Sequence, residues 1–185
     1  MNQESVAVVA GNRFSELQQG PVGSRMGCDI AVQNSPASDL HHDEHVQHSE
    51  SGGDGHQEIS GMKKAYDMAG VKPADVNVAE VHDCFTVMGA IGTEVLGKAP
   101  LGRGAQYWVD GKARLDGDCA INTSGGLIAK GHPIGATGVA MLGWSAWQLL
   151  GKAPAPLQVK NPLAATFNIG GPICASVCTV LKAAH

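Results

Sequence analysis

The segment VNVAEVHDCFTVMGAIGTEVLG, Val76 to Gly97, passes from a strand pattern into a helix pattern with almost nothing between them. The alternating valines of Val76–Val81 predict a strand with one buried face. TVMGAIGTEVLG predicts a helix that follows directly. His82, Asp83 and Cys84 therefore fall at a strand-to-helix junction, and in open α/β folds ligands gather at the carboxyl ends of strands. The rest of the chain supplies matching parts. VAVVA, Val6 to Ala10, is a β-branched strand pattern ended by Gly11. SGMKKAYDMAG places Met62, Ala65, Met68 and Ala69 on one helical face, and Gly70 stops that helix. GATGVAMLGWSAWQLLG spaces Val139, Leu142, Ala146 and Leu149 at helical intervals up to Gly151. Two strands, LAATFNI and ICASVCTVL, close the chain around GGP. This order implies a layered α/β domain with a mixed sheet.

Composition narrows the function classes. The 185 residues, 43% of them hydrophobic, are enough for one domain with a real core. A net charge of −4 leaves no electrostatic footprint for nucleic acid or an anionic membrane surface. No run approaches the roughly 18 apolar residues of a membrane span. The cysteines, Cys28, Cys84, Cys119, Cys174 and Cys178, contain no CxxC pair, which argues against a disulfide framework or a zinc site and for a reducing compartment. Residues 34–58, NSPASDLHHDEHVQHSESGGDGHQE, are nearly devoid of apolar side chains and read as a flexible polar insertion. Its histidines, His41, His42, His45, His48 and His56, include spacings compatible with chelation, but the favoured reading is a solvated polar loop that picks up divalent metals adventitiously. No metal function is assigned to them.

Three motifs carry chemistry. NTSGGLIAKGHPIGATG, Asn122 to Gly138, holds five glycines and no acid; such a run suits a backbone that takes unusual angles or approaches a ligand closely. Within it His132 lies between Gly131 and Pro133, as a general base or as a cap on a nearby carbonyl. In HDCF, Cys84 precedes a helix whose N-terminus favours a thiolate, although a buried packing cysteine has the same surroundings. NIGG, Asn168 to Gly171, is either a tight turn between strands or a source of N–H groups for an oxyanion.

Together VAEVHDCF, NTSGGLIAKGHPIGATG and FNIGG, in this order, resemble the C-terminal half of the thiolase superfamily. The likeness is to the sterol-carrier-protein type, which carries HDCF where other thiolases carry NEAF. The resemblance runs from about Ser60 to Lys182. It implies a thiolase-like layered α/β fold, C-terminal half only, with residues 59–185 as the domain proper and residues 1–33 as a first strand and partial helix of the same half. It also implies roles. His132 would activate a nucleophilic cysteine. Cys84 would be the acid/base at the substrate α-carbon or leaving thioester. His82 would help form the oxyanion hole for an enolate, and Gly170 would lend its N–H to a second one. Ser124, Gly125 and Gly126 would lie near the pantetheine arm of coenzyme A, which is a substrate here and not a tightly bound cofactor. Asn168 stands where ordinary thiolases have their acid/base cysteine, as the HDCF subtype leads one to expect.

One part of the pattern is missing. The thiolase nucleophile belongs to the first half, in a Cys-Ser-Ser-like setting, and Cys28 in RMGCDIA does not match it. Base and nucleophile must lie within hydrogen-bond reach for covalent catalysis. The sequence thus reads as a fragment, one member of a split pair, or a degenerate homologue. The expected activity is acyl-CoA C-acyl transfer on 3-ketoacyl-CoA or acetyl-CoA, with the nucleophile supplied by an N-terminal half or partner subunit in a homo- or hetero-oligomer. The alternatives are a non-catalytic acyl-CoA-binding or scaffold subunit and a thiolase-like steroid-CoA retro-aldolase. An isolated half is expected to expose an apolar patch and self-associate. The expected location is cytoplasmic, or peroxisomal or mitochondrial in a eukaryote, although the terminal AAH is not an obvious peroxisomal address.

Overall fold

The computed structural model describes residues 5–7, 29–35, 56–160, 162–170 and 175–184. Its strands are β1 (Ser5–Ala7), β2 (Asp29–Ser35), β3 (Val78–Val81), β4 (Ala120–Ile121), β5 (Ala164–Gly170) and β6 (Ala175–Ala184). They form one sheet in the order β1-β6-β5-β3-β4, with β2 also on β6. β3 lies parallel to β4 and β5, whereas β6 is antiparallel to β5, β1 and β2. The sheet is mixed, as the element order implies. The helices are α1 (His56–Ala69), α2 (Thr86–Val95), α3 (Gly104–Val109), α4 (Gly126–Lys130) and α5 (Thr137–Leu149).

Successive strand residues face opposite sides of a sheet, and here both sides are covered. Ala79, Val81, Ala165, Phe167, Cys178 and Val180 pack with Met62 and Tyr66 of α1 and Met88 and Val95 of α2. Val78, Ala164 and Leu181 point the other way, onto Leu142 and Leu149 of α5. The same alternation sends Glu80 and Thr166, both buried, to the α5 side.

Several expectations change. All four residues of β3 are buried, so the sequence reading of a strand with one buried face is corrected. β3 is flanked by parallel neighbours with helices on both faces, the setting in which alternation gives way to continuous burial. The stretch between Gly97 and Gly117, read as a plain glycine-rich connection, contains α3, and the Asn122–Gly138 run contains α4. Both are too short for a periodic signal. NIGG is not a turn at Asn168–Gly170: those residues belong to β5, paired with Val177, Ser176 and Ala175. The polar segment is narrower than residues 34–58, because Asn34 and Ser35 end β2 and residues 56–58 open α1. His41, His42, His45 and His48 lie outside the described residues, as do Cys28, Cys174 and Gly171. Cys119 and Cys178 are buried in the core, and burial pushes the Cys119 thiol up to about 12. A thiol so protonated packs rather than attacks. Among the described residues no helix is long and apolar enough to cross a membrane.

Candidate active site

The site grows from the carboxyl end of β3. Val78 is in register with Ala164 and Glu80 with Thr166, so the next residue on the same face, His82, comes to lie beside Asn168. The His82 N–H donates to Phe167 O at 2.9 Å, continuing the ladder one step beyond the strand. The His82 ring is buried, and its Nδ1 meets Asn168 Oδ1 at 2.7 Å. Asn168 in turn packs under the start of α5: a Cβ on Gly138 would stand 2.9 Å from Asn168 Nδ2.

β4 ends after two residues because Asn122 turns to a positive φ of 55°, a conformation that Asn tolerates better than most residues. Its side chain then replaces the missing strand partner. Val81 N–H donates to Asn122 Oδ1 at 2.7 Å, and Asn122 Nδ2 donates back to Val81 O at 3.2 Å. The chain that leaves the sheet at this point is the glycine loop, and two carboxylates hold it, Glu80 of β3 and Asp83 just beyond the strand. Asp83 Oδ1 accepts the Leu127 N–H at 2.6 Å, a cap for α4 that its own N-cap residue, Gly125, has no side chain to provide. Glu80 accepts from Ser124 N–H at 3.2 Å, from the Ser124 hydroxyl, and from Lys130 Nζ at 3.2 Å; Lys130 also donates to Ser124 Oγ at 2.7 Å.

The loop ends at His132, which stands in the exposed stretch 131–136 just before α5. His132 Nδ1 lies 2.8 Å from the buried Thr137 hydroxyl. The His132 ring meets that of His82 edge-to-face, with centroids 4.9 Å apart. Two histidines fifty positions apart in the chain thus share one spot, with one ring buried and the other facing solvent.

The structure therefore brings His82, His132 and Asn168 together. Cys84 sits between His82 and α2, half-buried against the core on the α1 and α2 side. Gly170 ends β5, exposed, two residues past Asn168. Of the three loop residues expected near coenzyme A, Ser124 turns its hydroxyl inward onto Glu80, Gly126 is buried beside Asp83, and only Gly125 is exposed. Among the described residues no group of three or more His, Cys, Asp or Glu is arranged to hold a metal ion. Sequence reasoning gives no role to Glu80, Asn122, Lys130 or Thr137, and places Asp83 at the junction without its part as the cap of α4. For Glu80 a signal existed, since an acid within a run of valines on a buried strand must have a partner.

Burial is the largest influence on Glu80 and raises its carboxyl above the ordinary value of 4.5, with Ser124 and Lys130 pulling the other way. Folded protein therefore holds this proton where unfolded chain has lost it, so stability falls as pH rises from that ordinary value through the higher folded one. Glu80→Gln removes the titration. In thermal unfolding from pH 4 to 8, the melting temperature of Glu80→Gln relative to the parent is expected to climb with pH. A constant offset would contradict the shift.

The comparisons with known proteins come down on the same region. Residues 38–183 match the family model described as thiolase C-terminal domain-like. The chain is 42% identical over 113 residues to the acetyl-CoA acetyltransferase of Methanothermobacter thermautotrophicus, covering 61% of this chain and 30% of that one. It is 41% identical over 108 residues to human sterol carrier protein 2, covering 58% and 20%. The chain thus spans a third or less of the length of these relatives. Among solved structures it resembles the Ltp2-ChsH2(DUF35) aldolase with a TM-score of 0.56 and 20% identity, over 66% of this chain and 31% of that one. At that identity the likeness concerns the fold alone.

Proposed function

The chain belongs to the thiolase C-terminal domain-like family, and from that membership we propose that it is the C-terminal catalytic half of an acyl-CoA C-acyltransferase of the thiolase type. In this reading His132 takes the proton of a nucleophilic cysteine carried outside these 185 residues, in an N-terminal thiolase half on the same or another polypeptide. The thiolate adds to the 3-keto carbon of a 3-ketoacyl-CoA. Carbon–carbon cleavage leaves an acyl group on that cysteine and the enolate of acetyl-CoA. His82 hydrogen-bonds the developing enolate oxygen, and Cys84 delivers the proton that converts the enolate to acetyl-CoA. Free CoA then takes the acyl group: its thiol proton passes to the Cys84 thiolate, the Gly170 N–H serves the tetrahedral oxyanion, and the cysteine thiolate that leaves recovers its proton from His132. All atoms and protons balance, and the reverse sequence is a Claisen condensation. The exposed backbone at Gly125 is the part of the loop left to meet the pantetheine arm.

The observation that carries this reading is the pairing of His82 and His132 at 4.9 Å from two separate loops, one of them secured at the end of β3 by the side chains of Glu80, Asp83, Asn122 and Lys130. Exposed apolar side chains on the same segments support a covering domain: Phe85, Val87, Ile128, Ile134 and Val139, with Ile134 90% exposed. The test is thiolysis of acetoacetyl-CoA by the full chain mixed with a thiolase half bearing the cysteine. Turnover that needs both components is expected. No turnover in any combination would overturn the reading, and CoA binding without turnover would favour a non-catalytic subunit.

A further inference from the structure

We propose that Thr137 is the positioning residue that holds a proton on His132 Nδ1 and so leaves Nε2 as the atom that takes the thiol proton. The inference rests on the reading of His132 as the base. Thr137 opens α5 and is buried, and its hydroxyl has two polar neighbours: His132 Nδ1 at 2.8 Å and Pro133 O at 3.2 Å. A hydroxyl has one proton to give and lone pairs to accept with. Once His132 has taken a proton, both ring nitrogens are N–H donors, so Thr137 must then accept from Nδ1 and place its own proton elsewhere. Pro133 O, four residues back, is where a Thr in a first helical turn sends it. If the neutral ring already carries its proton on Nδ1, the same three groups serve before and after proton transfer. Nothing has to rotate during the reaction, which is the advantage of a preorganised site.

His82 is held differently. Its Nδ1 partner is the Asn168 side-chain amide, which can offer either an acceptor or a donor, so the sheet fixes the position of that ring without fixing its tautomer. Only His132 has a partner backed by a carbonyl.

The tautomer is read directly from imidazole 15N shifts of the full 185-residue chain, with His132→Gln to assign the signals. The neutral His132 ring is expected as Nδ1–H in the parent and in Thr137→Ser, and predominantly as Nε2–H in Thr137→Val. A parent ring protonated on Nε2, or no change in Thr137→Val, would overturn the inference. In the assembled thiolysis assay, Thr137→Val should lower kcat about 10- to 100-fold, with KM little changed and Thr137→Ser restoring the rate. The expected tautomers without thiolysis would overturn only the functional reading. Thiolysis with the wrong parent tautomer would overturn only the role of Thr137.

Discussion

Gly126→Ala is expected to destabilise the chain by about 3 kcal/mol. Two costs add. Gly126 has a φ of +61°, where an L side chain is strained. An added Cβ would also run into the Asp83 carboxylate and come within 2.8 Å of Asn122 Nδ2. Neither neighbour can yield freely, because Asp83 caps α4 and Asn122 completes the edge of β3. At roughly 3 °C per kcal/mol for a chain of this size, the melting temperature should fall by about 10 °C. Gly135→Ala is the control, since a Cβ there meets nothing within 4 Å; it should stay within about 0.5 kcal/mol of the parent. Equal effects at the two positions would mean that the loop is not clamped as described.

His132→Ala should reduce thiolysis by the assembled enzyme about a thousandfold, the usual range for removing a general base and equivalent to about 4 kcal/mol of barrier. The residue is exposed, so its loss should barely alter stability. Alkylation of the partner's nucleophilic cysteine by iodoacetamide separates the proposed roles without needing turnover. His132→Ala should slow that alkylation, because the thiolate loses the imidazole that forms it. Cys84→Ala should abolish turnover yet leave the alkylation rate unchanged. If Cys84→Ala slowed alkylation as much as His132→Ala, the division of labour between base and α-carbon acid would be wrong.

The parts of this site that announce themselves in sequence are those with unusual composition. A Gly-His-Pro triplet inside a glycine run and a histidine and cysteine between strand and helix patterns are visible because few structural needs produce them. The supporting residues are ordinary types in ordinary places. Thr137 looks like any polar residue at a helix start, and Asn122 like any turn former. The roles of Asn122 and Asp83 come from contacts spanning 41 positions to Val81 and 44 to Leu127, which local periodicity cannot encode. The same limit explains β3: its valines alternate as they would in a sheet half open to solvent, and the covering helices are a tertiary fact. Asn168 stands out in the sequence as part of NIGG and as a departure from the thiolase pattern, but its place beside His82 follows from the register of β3 and β5.

That register has a consequence for how such a chain can change. Glu80, His82 and Asn168 reach the α5 side only because their positions share the parity of Val78 and Ala164. An insertion or deletion of one residue between Val78 and His82 would send the imidazole into the core beneath α1 and α2 and turn an apolar side chain toward the loop. Insertions of any length in the connection between α2 and β4 leave that parity untouched. Changes of length are therefore expected to be tolerated in the exposed turns of that connection and resisted within β3 and β5.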